Sequence, residues 1–223
     1  MSRIASTISL VSVVVIGAVM WPNASMGAPT LGPTAYLPYV GKKVPIVAPY
    51  VQPNYSTYTD AQGREHIVGE VFNPNNAPLS QIYISVAGES PALTYPYIQS
   101  VQAHQAGCFN TPLGASGLNL RPEVTSYSED GWALPPLSIS SNSAYDPASK
   151  SYTVSGQVAN IVGGTRKSAV LVATAYDSSE RVIGCIFDLI QLDAQNPVGF
   201  SLIFSDHDYA SVSRYVLQAG SFS

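Results

Sequence analysis

The sequence predicts an all-β chain organised as two tandem immunoglobulin-like antiparallel β-sandwich domains. Three observations lead there. Only 11% of the 223 residues are charged while 46% are hydrophobic, and Tyr occurs 14 times. That balance excludes a disordered chain and suits pleated, half-buried strands better than helices. Short apolar runs alternate with a period of two between turn residues, the pattern of sheets packed on one face. The chain also repeats itself: the frame Gly69-Glu70-Val71-Phe72-Asn73 returns as Gly156-Gln157-Val158-Ala159-Asn160.

Residues 1–27 read as a secretory signal peptide. Arg3 is followed by an apolar run, Ile8–Trp21, and then by the small residues Ser25 and Gly27 ahead of a cut that leaves Ala28 first. As a helix the run covers about 21 Å, short of the roughly 30 Å hydrocarbon core. No later run approaches the length of a span, so the expected location is secreted or cell-surface, with no membrane span after cleavage. The net charge of −4 lacks a basic footprint, so no nucleic acid is expected as a partner. Residues 28–53 hold Pro29, Pro33, Pro38, Pro45, Pro49 and Pro53 among Tyr36, Tyr39 and Tyr50. This lead should be extended and poor at forming a central strand, serving as a stiff spacer or as a docking segment. Asn54-Tyr55-Ser56 matches a glycosylation sequon, read as a chance match.

The repeat then divides the chain into a first sandwich, 54–134, and a second, 135–223. Ile82, Ile84 and Val86 correspond to Val170, Val172 and Thr174; Phe109 corresponds to Phe200, and Val124-x-x-Tyr127 to Val212-x-x-Tyr215. A period of about 88 residues is too long for a solenoid unit and fits a domain. Strands are expected in the second copy over Ser151–Ile161, Ser168–Tyr176, Arg181–Gln191, Val198–Phe204 and Ser211–Gln218. Asp177–Glu180 should form a hairpin turn, and Leu137–Ser140 should open the domain as an edge strand. Tyr152, Val154, Gly156 and Val158 share one side, as do Val170, Val172, Thr174 and Tyr176.

On these residues the second copy resembles an FxLYD-type domain, a small bacterial extracytoplasmic β-sandwich module. The resemblance rests on Gly156–Asn160, Ala173-Thr174-Ala175-Tyr176-Asp177, Val182-Ile183-Gly184, Phe200 and Val212-x-x-Tyr215, over about 137–220. The namesake Phe and Leu are replaced by Ala173 and Ala175. The first copy is degenerate: over about 55–128 it keeps Gly69–Asn73, Phe109 and Val124-x-x-Tyr127, but has Val86–Ser90 at the motif position. The resemblance implies a fold and a location and brings no catalytic residue.

Gly69 and Gly156 lie inside strands and suggest a bulge or a close backbone approach. Asn73 and Asn160 should close strands, Tyr176 should bury its ring with its hydroxyl bonded, and Asp177 should hold the following turn. Cys108 and Cys185 fall in different copies at non-equivalent positions. They form a disulfide across the two domains, remain two buried thiols, or pair between molecules. Asp206-His207-Asp208 reads as a solvated turn rather than a metal site, since zinc needs three or four converging ligands. Nucleophile and phosphate-loop motifs are missing, so neither enzymatic chemistry nor a cofactor is expected. Tyr95, Tyr97 and Trp132 lie where the first copy departs from the repeat and are the candidate binding surface, although Trp132 could instead plug the seam between domains. The expected function is that of an exported, non-catalytic interaction or structural module with a protein or glycan partner. The alternatives are a carbohydrate-binding module stacking on Tyr and Trp, or an adhesin subunit.

Overall fold

The computed structural model describes residues 45–87, 93–113, 120–161, 168–193 and 196–222. Residues 1–27, read above as a signal peptide, and most of the Pro/Tyr-rich lead lie outside them. Fourteen strands follow in chain order: β1 (Tyr50–Val51), β2 (Ser56–Thr59), β3 (Glu65–Phe72), β4 (Leu79–Ala87), β5 (Leu93–Thr94), β6 (Ser100–Val101) and β7 (Ala106–Pro112). They continue with β8 (Arg121–Ser128), β9 (Leu137–Asp146), β10 (Ser151–Asn160), β11 (Ser168–Tyr176), β12 (Val182–Gln191), β13 (Val198–Phe204) and β14 (Arg214–Phe222). The described chain is all-β, without a helix, and every pairing is antiparallel.

The same topology is written twice. β3 lies between β7 on one side and β1 and β2 on the other, as β10 lies between β13 and β9. β4 lies between β8 on one side and β5 and β6 on the other, as β11 lies between β14 and β12. Even the cross-strand partners recur, with Gly69 opposite Phe109 and Gly156 opposite Phe200. Four of the strands expected in the second copy agree with the observed ones to within a residue at either end. The last differs: Val212 precedes β14, whereas Val124 lies inside β8, so these two valines are not structural equivalents. In the lead, Tyr50–Val51 does join a sheet, at the Phe72 end of β3.

Each pair of sheets encloses a core. Val71, Leu79, Ile84, Val101 and Phe109 fill the first. In the second, Ala169, Leu171, Ala173 and Ala175 face Tyr152, Phe200, Phe204 and Tyr209, mostly small residues on one strand against large rings around them. A third core lies between the pairs: Val68 of β3 and Cys108 of β7 meet Val170, Val172 and Tyr176 of β11 and Val182 and Cys185 of β12. β11 is therefore buried on both faces, its odd residues toward one core and its even residues toward the seam. The face shared by Val170, Val172, Thr174 and Tyr176 covers the first pair of sheets, not the core of its own pair. Residues 44–223 form one compact unit, and a Cys108–Cys185 disulfide crosses the seam with Cα atoms 6.2 Å apart.

Gly156 is needed where it stands. A Cβ there would lie 1.9 Å from the carbonyl oxygen of Ser140 and 2.8 Å from Ser141 Cα, so β9 crosses β10 closer than any side chain allows. Gly156→Ala is expected to cost about 1–3 kcal/mol and to lower Tm by several degrees. Gly199→Ala, whose Cβ would meet nothing nearer than 3.9 Å, should leave Tm unchanged or slightly raised. Equal melting curves for the two variants would contradict the close approach. Replacing both cysteines by Ala should lower the urea midpoint, since a bridge at a sequence separation of 77 contributes about 4 kcal/mol on the chain-entropy account. The same shift should follow from adding reductant to the wild type.

Candidate functional site

Polar side chains meet across the seam beside its apolar core. Tyr176 Oη donates to Glu70 Oε1 at 2.6 Å, a buried bond between the two halves. Arg214 lies over the Tyr176 ring, 3.7 Å from its centroid, and pairs with Glu180. Further along, the hydroxyls of Tyr58 and Tyr209 both donate to Asp206, the latter at 2.6 Å. Asn110 Nδ2 donates to Tyr58 Oη at 2.7 Å, and His66 bridges Asn110 and Asp60. The Tyr58 ring stacks on His66 with centroids 5.0 Å apart and meets His207 at 4.1 Å. His207 Nδ1 sits 3.3 Å from Asp206 Oδ1, within ion-pair range but without hydrogen-bond geometry.

Burial alone would lift the Asp206 carboxyl, yet His207, Tyr209 and Tyr58 together hold it below the usual carboxylate range. Burial first, and then Asp206, push the Tyr58 and Tyr209 hydroxyls up, so both remain donors. Asp206 and His207 are thus half-buried members of the seam, not a solvated turn. Only Asp208 is exposed, where it accepts from Tyr145 and pairs with Lys150. Among the described residues no three His, Cys, Asp or Glu side chains converge as a metal centre.

Two hairpins share an Asp-x-x-x-Arg lock that a scan for the spacing would have found. Asp60 Oδ1 accepts from the amides of Gln62 and Arg64 while Oδ2 accepts from Arg64 Nε. Asp177 repeats this with Ser179 and Arg181. Gly63 and Glu180 occupy the left-handed turn position, at φ 79° and 62°.

Four exposed aromatic residues, Tyr83, Tyr95, Trp132 and Phe187, gather at one edge of the seam, around two adjoining grooves of about 310 and 450 Å³. Tyr95, Gln99 and Trp132 line both; Gln81 and Tyr83 belong to the smaller, and Phe187 and Leu189 to the larger. Trp132 is 44% exposed and Tyr95 55%. The backbone behind the indole is clamped. Trp132 N–H donates to Ser100 Oγ at 3.1 Å, and its carbonyl accepts from Ser100 Oγ at 2.7 Å and from Gln102 Nε2 at 3.1 Å. Gly131 lies so close to the segment leading into β4 that a Cβ would fall 2.4 Å from the backbone of Pro78. On the facing strand, β4 slips register between Ser80 and Tyr83, and Gln81 adopts φ 47°, a strained position that re-aims its side chain.

Tyr97 is half-buried, its ring 4.5 Å from Phe187 and packed on the seam core, and it also lines the larger groove. Trp132 takes the exposed place and does not plug the seam. Asn73 is fully buried, accepting from the Asn75 amide at 3.0 Å and donating to the carbonyls of Ala77 and Val101. Asn160 ends β10 opposite Leu137. Gly69 packs against Phe109. Asn54 of the sequon is turned inward toward Glu70 and the Glu180 carbonyl.

No family model matches the chain, and no curated protein matches it. A solved structure described as "Crystal structure of putative beta-galactosidase from bacteroides fragilis" aligns with a TM-score of 0.25 and 13% identity. The match covers 73% of this chain and 32% of that one, so the chain spans about a third of that protein's length. A likeness this shallow carries no argument.

Burial by itself would raise the Asp60 carboxyl. The Arg64 amide, the His66 ring, the Arg64 side chain and the Gln62 amide outweigh it and bring the pKa to about 2. A folded pKa below the unfolded value of about 3.9 gives stability that is complete above pH 4 and lost as pH falls toward 2. Asp60→Asn should therefore lower the urea midpoint at pH 5.5 and show a smaller further loss between pH 4 and pH 2. Parallel wild-type and variant curves over that window would contradict this.

Proposed function

We propose that the chain is an exported, non-catalytic interaction module of two tandem FxLYD-like units, acting at or outside the cell envelope and holding its partner at the aromatic edge of the seam. The observation behind this reading is the clamped, exposed Trp132 beside Tyr95 and Tyr83. Large rings on a fixed backbone give contact area without an ordering cost on binding. Export is supported by the charge, apolar and small-residue pattern of residues 1–27 and by a disulfide of the kind that persists in oxidising compartments. The non-catalytic reading is supported by the seam's acids and tyrosines being committed to one another. A cleft of about 880 Å³ beside β14 ends at Glu70, Tyr176, Glu180 and Arg214, which already pair among themselves.

Tyr95→Ala/Trp132→Ala should keep the wild-type Tm within about 2 °C, because surface changes outside special features are nearly neutral. It should also lose attachment to isolated cell envelopes by tenfold or more. Undiminished attachment by a folded double variant would reject the aromatic edge as the binding surface.

A further inference from the structure

We infer that the ligand of this edge is a neutral polysaccharide chain running from the smaller groove into the larger; this rests on the reading of the edge as a binding surface. Among the described residues neither groove has a charged side chain in its lining. An anionic polymer or a basic peptide would thus find no partner for its charge, while an uncharged ligand leaves none unpaired. The lining is also not simply apolar. The side-chain amides of Gln81 and Gln99 make no hydrogen bond within the described residues, and they line the smaller groove together with exposed aromatic rings, Tyr83 at 40%, Trp132 at 44% and Tyr95 at 55%. A pyranose presents two chemistries to match: C–H faces that pack on aromatic rings, and ring-edge hydroxyls that both donate and accept to an amide.

The two grooves have Tyr95, Gln99 and Trp132 in common, so one chain can occupy both with Trp132 central. The larger groove adds Phe187 at 46% and Leu189 at 61% exposure from β12 on the other side of the seam. The ligand therefore touches both pairs of sheets. The site is complete only because the seam, with its disulfide, holds them together.

The test uses the oxidised chain from Ala28 onward and hexasaccharides of glucose, mannose and xylose, followed by intrinsic fluorescence and calorimetry. Trp21 lies in the signal segment, so Trp132 is the sole indole of the processed chain. At least one neutral hexasaccharide should saturate, with the same Kd at 50 and 500 mM NaCl, because no charge contributes. Trp132→Ala and Tyr95→Ala should each weaken binding about tenfold or more. Gln99→Ala should weaken it less, with Tm unchanged. Polygalacturonate, and an octapeptide of alternating Val and Ser, serve as the anionic and extended-peptide probes. Binding of either probe with no neutral sugar bound overturns the inference, as does the absence of any sugar binding while envelope attachment still depends on Trp132; in both cases the binding surface itself stands. Attachment that survives Tyr95→Ala/Trp132→Ala removes the surface and the ligand together.

Discussion

The double-sided burial of β11 is the constraint on which the rest of the structure depends. A strand in an antiparallel sandwich normally shows one face to water, and its sequence alternates accordingly. Ser168–Tyr176 has no charged residue, and eight of its nine side chains are buried. Left uncovered, Val170, Val172 and Tyr176 would expose a stripe whose burial contributes about 1.5–3 kcal/mol for each large side chain. The first pair of sheets supplies that cover through β3 and β7, and so cannot be a loosely tethered neighbour.

Burying a face this wide also traps polar groups, and the seam answers two of its acids from the opposite side. Glu70 of β3 receives the hydroxyl of Tyr176 from β11, and Asp206 of the second half receives that of Tyr58 from the first. A buried carboxylate without a donor costs several times what a typical hydrogen bond contributes. Apolar faces can slide over one another at little cost, whereas these pairs meet in only one register. The polar bonds thus fix where the two pairs of sheets sit, and the apolar contacts hold them there. The disulfide between β7 and β12 ties the same two layers covalently.

Much of this was legible from the residues. Turn chemistry and period-two runs gave strand boundaries in the second half close to those observed, because those strands are long and flanked by Asp, Ser and Gly. The two-faced character of β11 was hidden, since an uninterrupted apolar run satisfies an alternating template as easily as a continuous one. The half-burial of Asp206 and His207 depends on Tyr58, some 148 positions away, which local spacing does not convey. Tyr95, Tyr97 and Trp132 were identified as a group. Their separation into two exposed rings and one seam ring follows from a backbone detail: Tyr97 N–H donates to the Cys108 carbonyl at 2.9 Å, drawing that one residue inward.

That same detail explains why the candidate site lies where it does. In the second half β12 accompanies β11 over nearly its whole length, from Ser168 opposite Gln191 to Tyr176 opposite Val182. In the first half the corresponding partner of β4 is broken into two short pieces, β5 opposite Ile84 and Ser85 and β6 opposite Leu79 and Ser80. Residues 95–99 leave the ladder between them, and Gln81–Tyr83 opposite lose their regular partners. The register slip in β4 and the left-handed Gln81 fall at this gap. An intact edge strand would have covered the segment with backbone hydrogen bonds. The broken one exposes Tyr83, Tyr95 and Gln99 beside Trp132, on a frame whose rigidity is maintained from the seam. The aromatic edge thus arises from the repeat itself, by interrupting one strand of a sheet that its twin keeps whole.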